Sequence, residues 1–236
     1  MKRTSARKVF RYFLIALTLV FIGCLAKVAV WEHFYYNNET NITRSKPENL
    51  AAAPEQIDFS EEEEEYDETE PTQTSISAHK VSPDKPRYVS IPRLGIKNAK
   101  IIEIGVQKNG KLGVPSNIFD VGWYRDSSKP GGGGTLLMDG HNGGPTKDGI
   151  FKRLDSLERG DIIKIERGDG KVFTYEVYEN EIVSIEEADA HMKFMTRSPI
   201  AGKESLSLIS CTGGWSQIRN TMDHRAMLRA LLVSEE

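Results

Sequence analysis

Between Pro86 and Val233 the chain is a succession of short β-prone runs broken by Gly, Asp or Asn, and this pattern restricts its possible folds more than any other feature. The runs cover residues 87–91, 100–106, 135–139, 161–166, 171–185, 205–211 and 225–233. Several alternate: Phe173, Tyr175 and Val177 fall on one face, with Thr174 and Glu176 on the other. Arg167-Gly168-Asp169-Gly170 reads as a hairpin turn between two runs. One segment has a helical period instead: in GIFKRLDSLERGD, Ile150, Phe151, Leu154 and Leu157 repeat at helical spacing and Gly160 ends the pattern. So many short strands with a single short helix predict an all-β domain, a closed or nearly closed barrel. Some ~150 residues can bury a sizeable core without disulfides.

The region before the barrel differs in character. Lys2, Arg3, Arg7, Lys8 and Arg11 precede the uncharged run FLIALTLVFIGCLA. Read over 9–31, with Arg11 and Lys27 snorkelling at its ends, the segment is long enough to span a bilayer as a signal anchor. Trp31, Phe34, Tyr35 and Tyr36 fit an interfacial belt, and the basic tail at 1–8 orients the helix with its N-terminus in the cytoplasm. A cleaved signal peptide fits less well, because Lys27-Val28-Ala29 puts a lysine where a small residue belongs. A lipoprotein reading of Phe21 to Cys24 has Phe21 where leucine is usual.

Residues 32–85 lack apolar periodicity and centre on EEEEEYDETEPTQT, which predicts a disordered acidic stalk ahead of a folded domain at 86–236. Asn41-Ile42-Thr43 matches a glycosylation acceptor only weakly. The net charge of −3, with no basic face on the folded part, argues against nucleic acid as a partner.

There are two cysteines. Cys24 falls in the apolar run and Cys211 in the exported part, which leaves Cys211 as a free thiol or an intermolecular partner. In SLSLISC, Leu206 and Leu208 share one strand face and Ser207, Ile209 and Cys211 the other, with Thr212-Gly213-Gly214 following as a loop. A buried structural cysteine is the plain reading; a thiol at a strand end beside glycines is also well placed for nucleophilic chemistry if a base stands nearby. His79 lies in the stalk and His191 in a polar stretch between strands. His141 ends a strand in TLLMDGHNGGP, in the same setting as Cys211. For a group that stabilises developing negative charge, Arg225 at the start of the last strand is the candidate. Arg219 is its rival, and His224 leaves an ambiguity that spacing does not remove. No cluster has metal-site spacing, and no cofactor is assigned.

The order GH, then SLISC, then HR opening a final strand resembles the sortases, membrane-bound cysteine transpeptidases of Gram-positive bacteria. VSIPRLGI is similar to that family's first strand, and VGWYRDSSKPGGGGTLLMDGHN to its approach to the catalytic histidine. The family's Thr-Leu-x-Thr-Cys stands here as Ser207-Leu208-Ile209-Ser210-Cys211, with serines for both threonines. The resemblance implies an eight-stranded barrel with His141, Cys211 and Arg225 as catalytic residues and a substrate contact from Ser210. It also implies surface proteins with a C-terminal sorting signal of the LPxTG type as substrates, and an amine of a peptidoglycan precursor or of a pilin as acceptor. Pilin-polymerising members usually carry a second membrane helix and an aromatic-bearing lid. The ending LLVSEE and the plain acidic stalk therefore favour the wall-anchoring type. The remaining readings are a peptidase that hydrolyses rather than transfers, and a non-catalytic tethered domain that binds the wall.

Overall fold

The computed structural model describes residues 66–107, 110 and 112–236. Eight strands close into one barrel: β1 (Pro86–Ile91), β2 (Ile96–Ile104), β3 (Val121–Tyr124), β4 (Thr135–Gly140), β5 (Ile162–Arg167), β6 (Val172–Ser184), β7 (Ser205–Ser216) and β8 (Thr221–Glu235). Their order around the barrel is β1-β2-β3-β4-β7-β8-β6-β5, and β5 pairs with β1 to complete it. Closure leaves no strand with an unpaired row of backbone groups. Two neighbour pairs are parallel, β2 with β3 and β4 with β7; the others are antiparallel. The parallel β4–β7 pair has the larger consequence, because both strands then end on the same rim.

The core sits inside. Phe173, Tyr175 and Val177 are all buried, as the alternation predicts, and they meet Leu206, Leu208 and Leu228 from the facing strands. The helical period in GIFKRLDSLERGD does not produce an α-helix. The segment forms a series of turns with a short 3-10 stretch at Leu154–Ser156, and Phe151, Leu154 and Leu157 insert into the core. Phe151 N donates to His141 O, outside any helical ladder. A tertiary requirement has overridden local periodicity: the segment closes one end of the barrel.

Two elements escape the sequence pattern. β3 has only four residues, too few to show a period, and is recognised only through its partners on β2 and β4. The polar stretch around His191 reads as a connection between strands, yet it forms helix α2 (Ile185–Met195), started by a capping box between Ser184 and Glu187. The hairpin expected at Arg167 to Gly170 is present, with Arg167 N donating to Lys171 O and Gly170 at φ 90°.

The stalk expectation needs correction at its C-terminal end. Residues 66–85 lie along the barrel and include helix α1 (Gln73–Ala78), capped by Thr72. Asp67 N donates to Ser116 O at 2.9 Å, Ile118 N to Asp67 O at 3.0 Å, and Arg87 Nε to His79 O at 3.0 Å. His79 Nε2 lies 3.0 Å from Ile101 O. α1 buries no residue. Attachment therefore rests on polar and backbone contacts, which a composition short of apolar residues does not reveal. The expected anchor at 9–31 and the rest of the stalk lie outside the described residues. Among those described, no helix is long and apolar enough to cross a membrane.

The GGGG loop is held by a buried carboxylate. Glu204 accepts from Gly131 N at 3.0 Å, Gly133 N at 2.7 Å and the Tyr175 hydroxyl at 2.6 Å. Burial, together with this hydrogen bond and the carboxylate's charge, keeps the Tyr175 phenol protonated well above its ordinary range.

Candidate active site

β4 and β7 carry two of the expected residues to one place. Asp139 on β4 pairs with Ile209 on β7 in parallel register. His141 and Cys211 each follow two residues later, so both stand at the level of the rim where β4 ends. Across β7, Cys211 pairs with Arg225 on β8. All three side chains are part-buried, and no disulfide involves Cys211. The strands extend further than their sequence suggests: β7 runs to Ser216 and β8 begins at Thr221, so Cys211 and Arg225 lie within strands rather than at their ends. The glycines after Cys211 form a bulge between Thr212 and Trp215. Gly213 has φ 87°, a left-handed backbone that side chains rarely adopt, and a Cβ there would displace Asp223 Oδ1.

The His141 loop is folded by close backbone approach. Gly149 N donates to Asn142 O at 2.8 Å and Phe151 N to His141 O at 2.9 Å. A Cβ on Gly149 would fall 2.4 Å from His141 O, which fixes glycine at that position. His141 Nε2 is 2.7 Å from Pro115 O. A carbonyl oxygen only accepts, so Nε2 carries a proton, and Nδ1 is the nitrogen at which a neutral ring can act as base. Tyr66 meets the imidazole edge-on, with ring centroids 5.3 Å apart. Beside it, Glu68 accepts from Thr146 N at 2.8 Å and Lys147 N at 3.0 Å. The segment around Tyr66 thus lies against the His141 loop, although its sequence reads as plain acidic spacer.

Ser210 occupies a different position from the one expected. It is buried, and its hydroxyl donates to Gly140 O at 2.9 Å. It is a joint between β7 and the end of β4, directly before His141, with its oxygen buried in the barrel wall. Thr212 has a similar role, donating to Asp155 Oδ2 at 2.8 Å.

The two arginine candidates separate clearly. Arg225 Nη1 donates to Met222 O and His224 O, both at 2.8 Å, and Nη2 to Thr221 Oγ1 at 3.2 Å. Its guanidinium is therefore oriented by its own strand, opposite Cys211. Arg219 instead forms an ion pair with Glu186, linking the β7–β8 turn to the first turn of α2. His224 is 2.7 Å from Asp223 Oδ1 and pairs with Thr212. That hydrogen bond, with another from Gly214 N, holds the Asp223 carboxyl below its usual range. His191 lies on α2, bonded to Glu187 O. Of the described histidines, His141 and His224 stand at the rim reached by β4 and β7, and His224 is engaged with Asp223.

One residue of this face was passed over in the sequence. Asp139 points outward in the same row as Leu137, and dense protein around its carboxyl raises its pKa to about 7. The alternation in TLLMDG, two residues before a histidine, was the available signal. Among the described residues no group of His, Cys, Asp and Glu could hold a metal ion.

Comparison with known proteins bears on the whole barrel. The family model for the sortase domain matches residues 89–233. Sortase D of Bacillus subtilis (strain 168) is 36% identical over 63 residues, 27% of this chain, and the match spans 29% of that relative. Among solved structures, Sortase C1 of GBS Pilus Island 1 superposes with a TM-score of 0.46 at 22% identity, covering 66% of this chain and 67% of its own. The SrtA sortase from Actinomyces oris gives 0.47 at 20% identity, covering 66% and 84%.

Proposed function

The chain belongs to the sortase family, and from that premise we propose that it is a membrane-anchored cysteine transpeptidase acting on surface proteins with a C-terminal LPxTG-like sorting signal. Cys211 is the nucleophile. Its thiolate attacks the Thr–Gly carbonyl, and the C–N bond breaks to leave a thioacyl enzyme. His141 gives a proton to the departing amine, then takes one from the incoming amine that displaces the thiolate. Arg225 stabilises the oxyanion formed in both steps and holds the substrate backbone. The acceptor is an amine of a peptidoglycan precursor. The 9–31 segment anchors the enzyme in the cell membrane with its catalytic domain outside.

The observation that carries this reading is the register: Cys211 opposite Arg225, with His141 leaving the parallel neighbour strand at the same rim. The test is intact-mass spectrometry of the full chain with an LPxTG-type peptide and a short glycine-peptide amine. A transient adduct on Cys211 followed by the amine-joined product is expected. Cleavage with only a free acid, even at high amine, makes the enzyme a peptidase. No adduct across several signal variants makes the domain a binding module. Offering a pilin lysine in place of the glycine amine distinguishes a polymerase from a wall-anchoring enzyme.

A further inference from the structure

Three consecutive residues ahead of the barrel each touch a different part of the His141 surroundings. Tyr66 meets the imidazole edge-on. Asp67 joins the loop between β2 and β3: its N–H donates to Ser116 O at 2.9 Å and its carbonyl accepts from Ile118 N at 3.0 Å. Its carboxylate accepts from Asn117 Nδ2 at 2.9 Å and from Thr69 N at 2.8 Å. Glu68 joins the loop that follows β4, accepting from Thr146 N, Lys147 N and the Thr146 hydroxyl. Gly144 leaves room for it, since a Cβ there would meet Glu68 Oε1. Lys147 completes the attachment, donating to Glu68 O at 3.2 Å and pairing with Glu70 at 3.3 Å.

Both loops hold His141. Pro115, whose carbonyl accepts from Nε2, directly precedes the stretch 116–118 that Asp67 clamps. The other loop is the continuation of His141 itself, folded back by Gly144 N to Lys147 O at 2.9 Å and Gly149 N to Asn142 O at 2.8 Å. Ile150 N donates to Ile118 O at 2.9 Å, which joins the two loops directly. Apolar packing does not account for the attachment, because no residue of 66–70 is buried and α1 adds none to the core. The contacts are polar and converge on the surroundings of one ring. In a neutral imidazole, the nitrogen that carries the proton is set by the hydrogen bond that nitrogen makes. Whatever fixes the Pro115 carbonyl therefore also fixes the tautomer of His141.

We propose that residues 66–68 are a positioning strap for His141. Asp67 holds the loop whose Pro115 carbonyl selects the Nε2–H tautomer, Glu68 holds the loop that continues from His141, and Nδ1 is thereby left as the working nitrogen. The inference rests on the transpeptidase reading above, in which His141 moves a proton to and from the reacting amine. It makes the segment a part of the site that the reaction needs, rather than a spacer or a cover. A catalytic group displaced by about 1 Å can cost about 10²-fold in rate, even when the cause lies away from the chemistry.

The test uses the full chain in detergent micelles, with ¹⁵N-labelled histidine rings, and the LPxTG-type peptide with the glycine-peptide amine. At a pH where the ring is neutral, the His141 signal, identified as the one missing from His141→Gln, is expected to show the proton on Nε2. Asp67→Ala should give a mixture of the two tautomers. It should also lower kcat by about 10- to 100-fold with little change in KM, the pattern of a misplaced catalytic group rather than of lost substrate binding. Glu68→Ala should lower kcat to a similar extent. Glu68→Gln should restore it, because the amide oxygen still accepts from Thr146 N and Lys147 N and the amide NH₂ can donate to the Thr146 hydroxyl. Thermal melts establish that each variant is folded. Unchanged kcat and an unchanged ring spectrum in both alanine variants overturn the proposal and leave the transpeptidase standing. So does a rise in kcat, which would make 66–70 a cover over the site. A fall in kcat with the Nε2–H ring intact and no rescue by Glu68→Gln overturns it too, and makes the segment a structural brace. Absence of any Cys211 adduct in the unaltered enzyme overturns the transpeptidase reading and the proposal with it.

Discussion

The inner and outer faces of β7 and β8 share one set of backbone hydrogen bonds and have opposite characters. Inward, Leu206, Leu208, Ala226 and Leu228 are completely buried. Outward, on the same strands, stand Cys211 and Arg225, part-buried, while Ile209 and Met227 beside them are buried in a second apolar cluster with Val183 and Met195. The transition comes at the rim, where inward positions turn polar: Ser210 ties to Gly140 and Thr212 to Asp155. The period of two lets one strand serve as core on one side and as reactive surface on the other. Substitutions on the two faces should therefore fail in different ways.

The largest effect belongs to the outer face. Cys211→Ala should abolish product formation while the melting temperature stays near that of the unaltered protein; a large loss of stability instead would make the thiol a packing residue. Arg225→Ala should lower kcat by about 10²–10³-fold, the usual cost of losing an oxyanion donor. Arg219→Ala, which removes only an exposed ion pair, should change stability by at most about 1 kcal/mol and leave kcat almost unchanged. The reverse ranking of the two arginines in steady-state kinetics would transfer the role to Arg219.

On the inner face, Leu208→Ala should cost about 2–5 kcal/mol in denaturant unfolding, the range for a buried leucine that leaves a cavity. Ser210→Ala lies between the faces. It should cost about 1 kcal/mol for the lost bond to Gly140 O, and any loss of kcat should come through displacement of His141. Ser210→Thr, which restores the hydroxyl, should recover both.

The last expected effect is one of pH. Burial raises the Asp139 carboxyl from 3.8 to about 7. Between those values the unfolded chain has released the proton that the folded chain retains, so stability falls as pH rises across that window. Asp139→Asn removes this slope. Thermal melts should show the variant gaining on the unaltered protein from about pH 4 to about pH 7 and running parallel above it; a constant difference throughout would mean that the carboxyl is solvated.

Much of the barrel was legible because long strands with one buried face display their period, as Phe173, Tyr175 and Val177 do. β3 was not legible, since Val121 to Tyr124 is too short for alternation and is defined by its partners. The Phe151 to Leu157 segment misled because apolar residues at helical spacing also suit a turn that closes a barrel end. α2 had a visible start signal in Ser184 and Glu187, outweighed by the polar character of the residues that follow. In the candidate site, residue types and strand positions singled out His141 and Cys211 but left Arg225 beside its rivals Arg219 and His224; the register puts Arg225 opposite Cys211. Ser210, a substrate contact by resemblance, lies buried on the same face as Leu206 and Leu208, where the alternation of β7 puts it.

By itself the sequence determined the all-β character, the main strand faces and the residue types able to carry acyl transfer, since all of these follow from local alternation and side-chain chemistry. Only the tertiary structure decided that β4 and β7 run parallel and that Arg225 rather than Arg219 faces Cys211. It also decided that residues 66–70 lie along the His141 loop, and that Asp139 stands in the row next to Cys211. Each of these joins residues far apart in the chain, and no local pattern records which distant strand a segment will pair with or in what register.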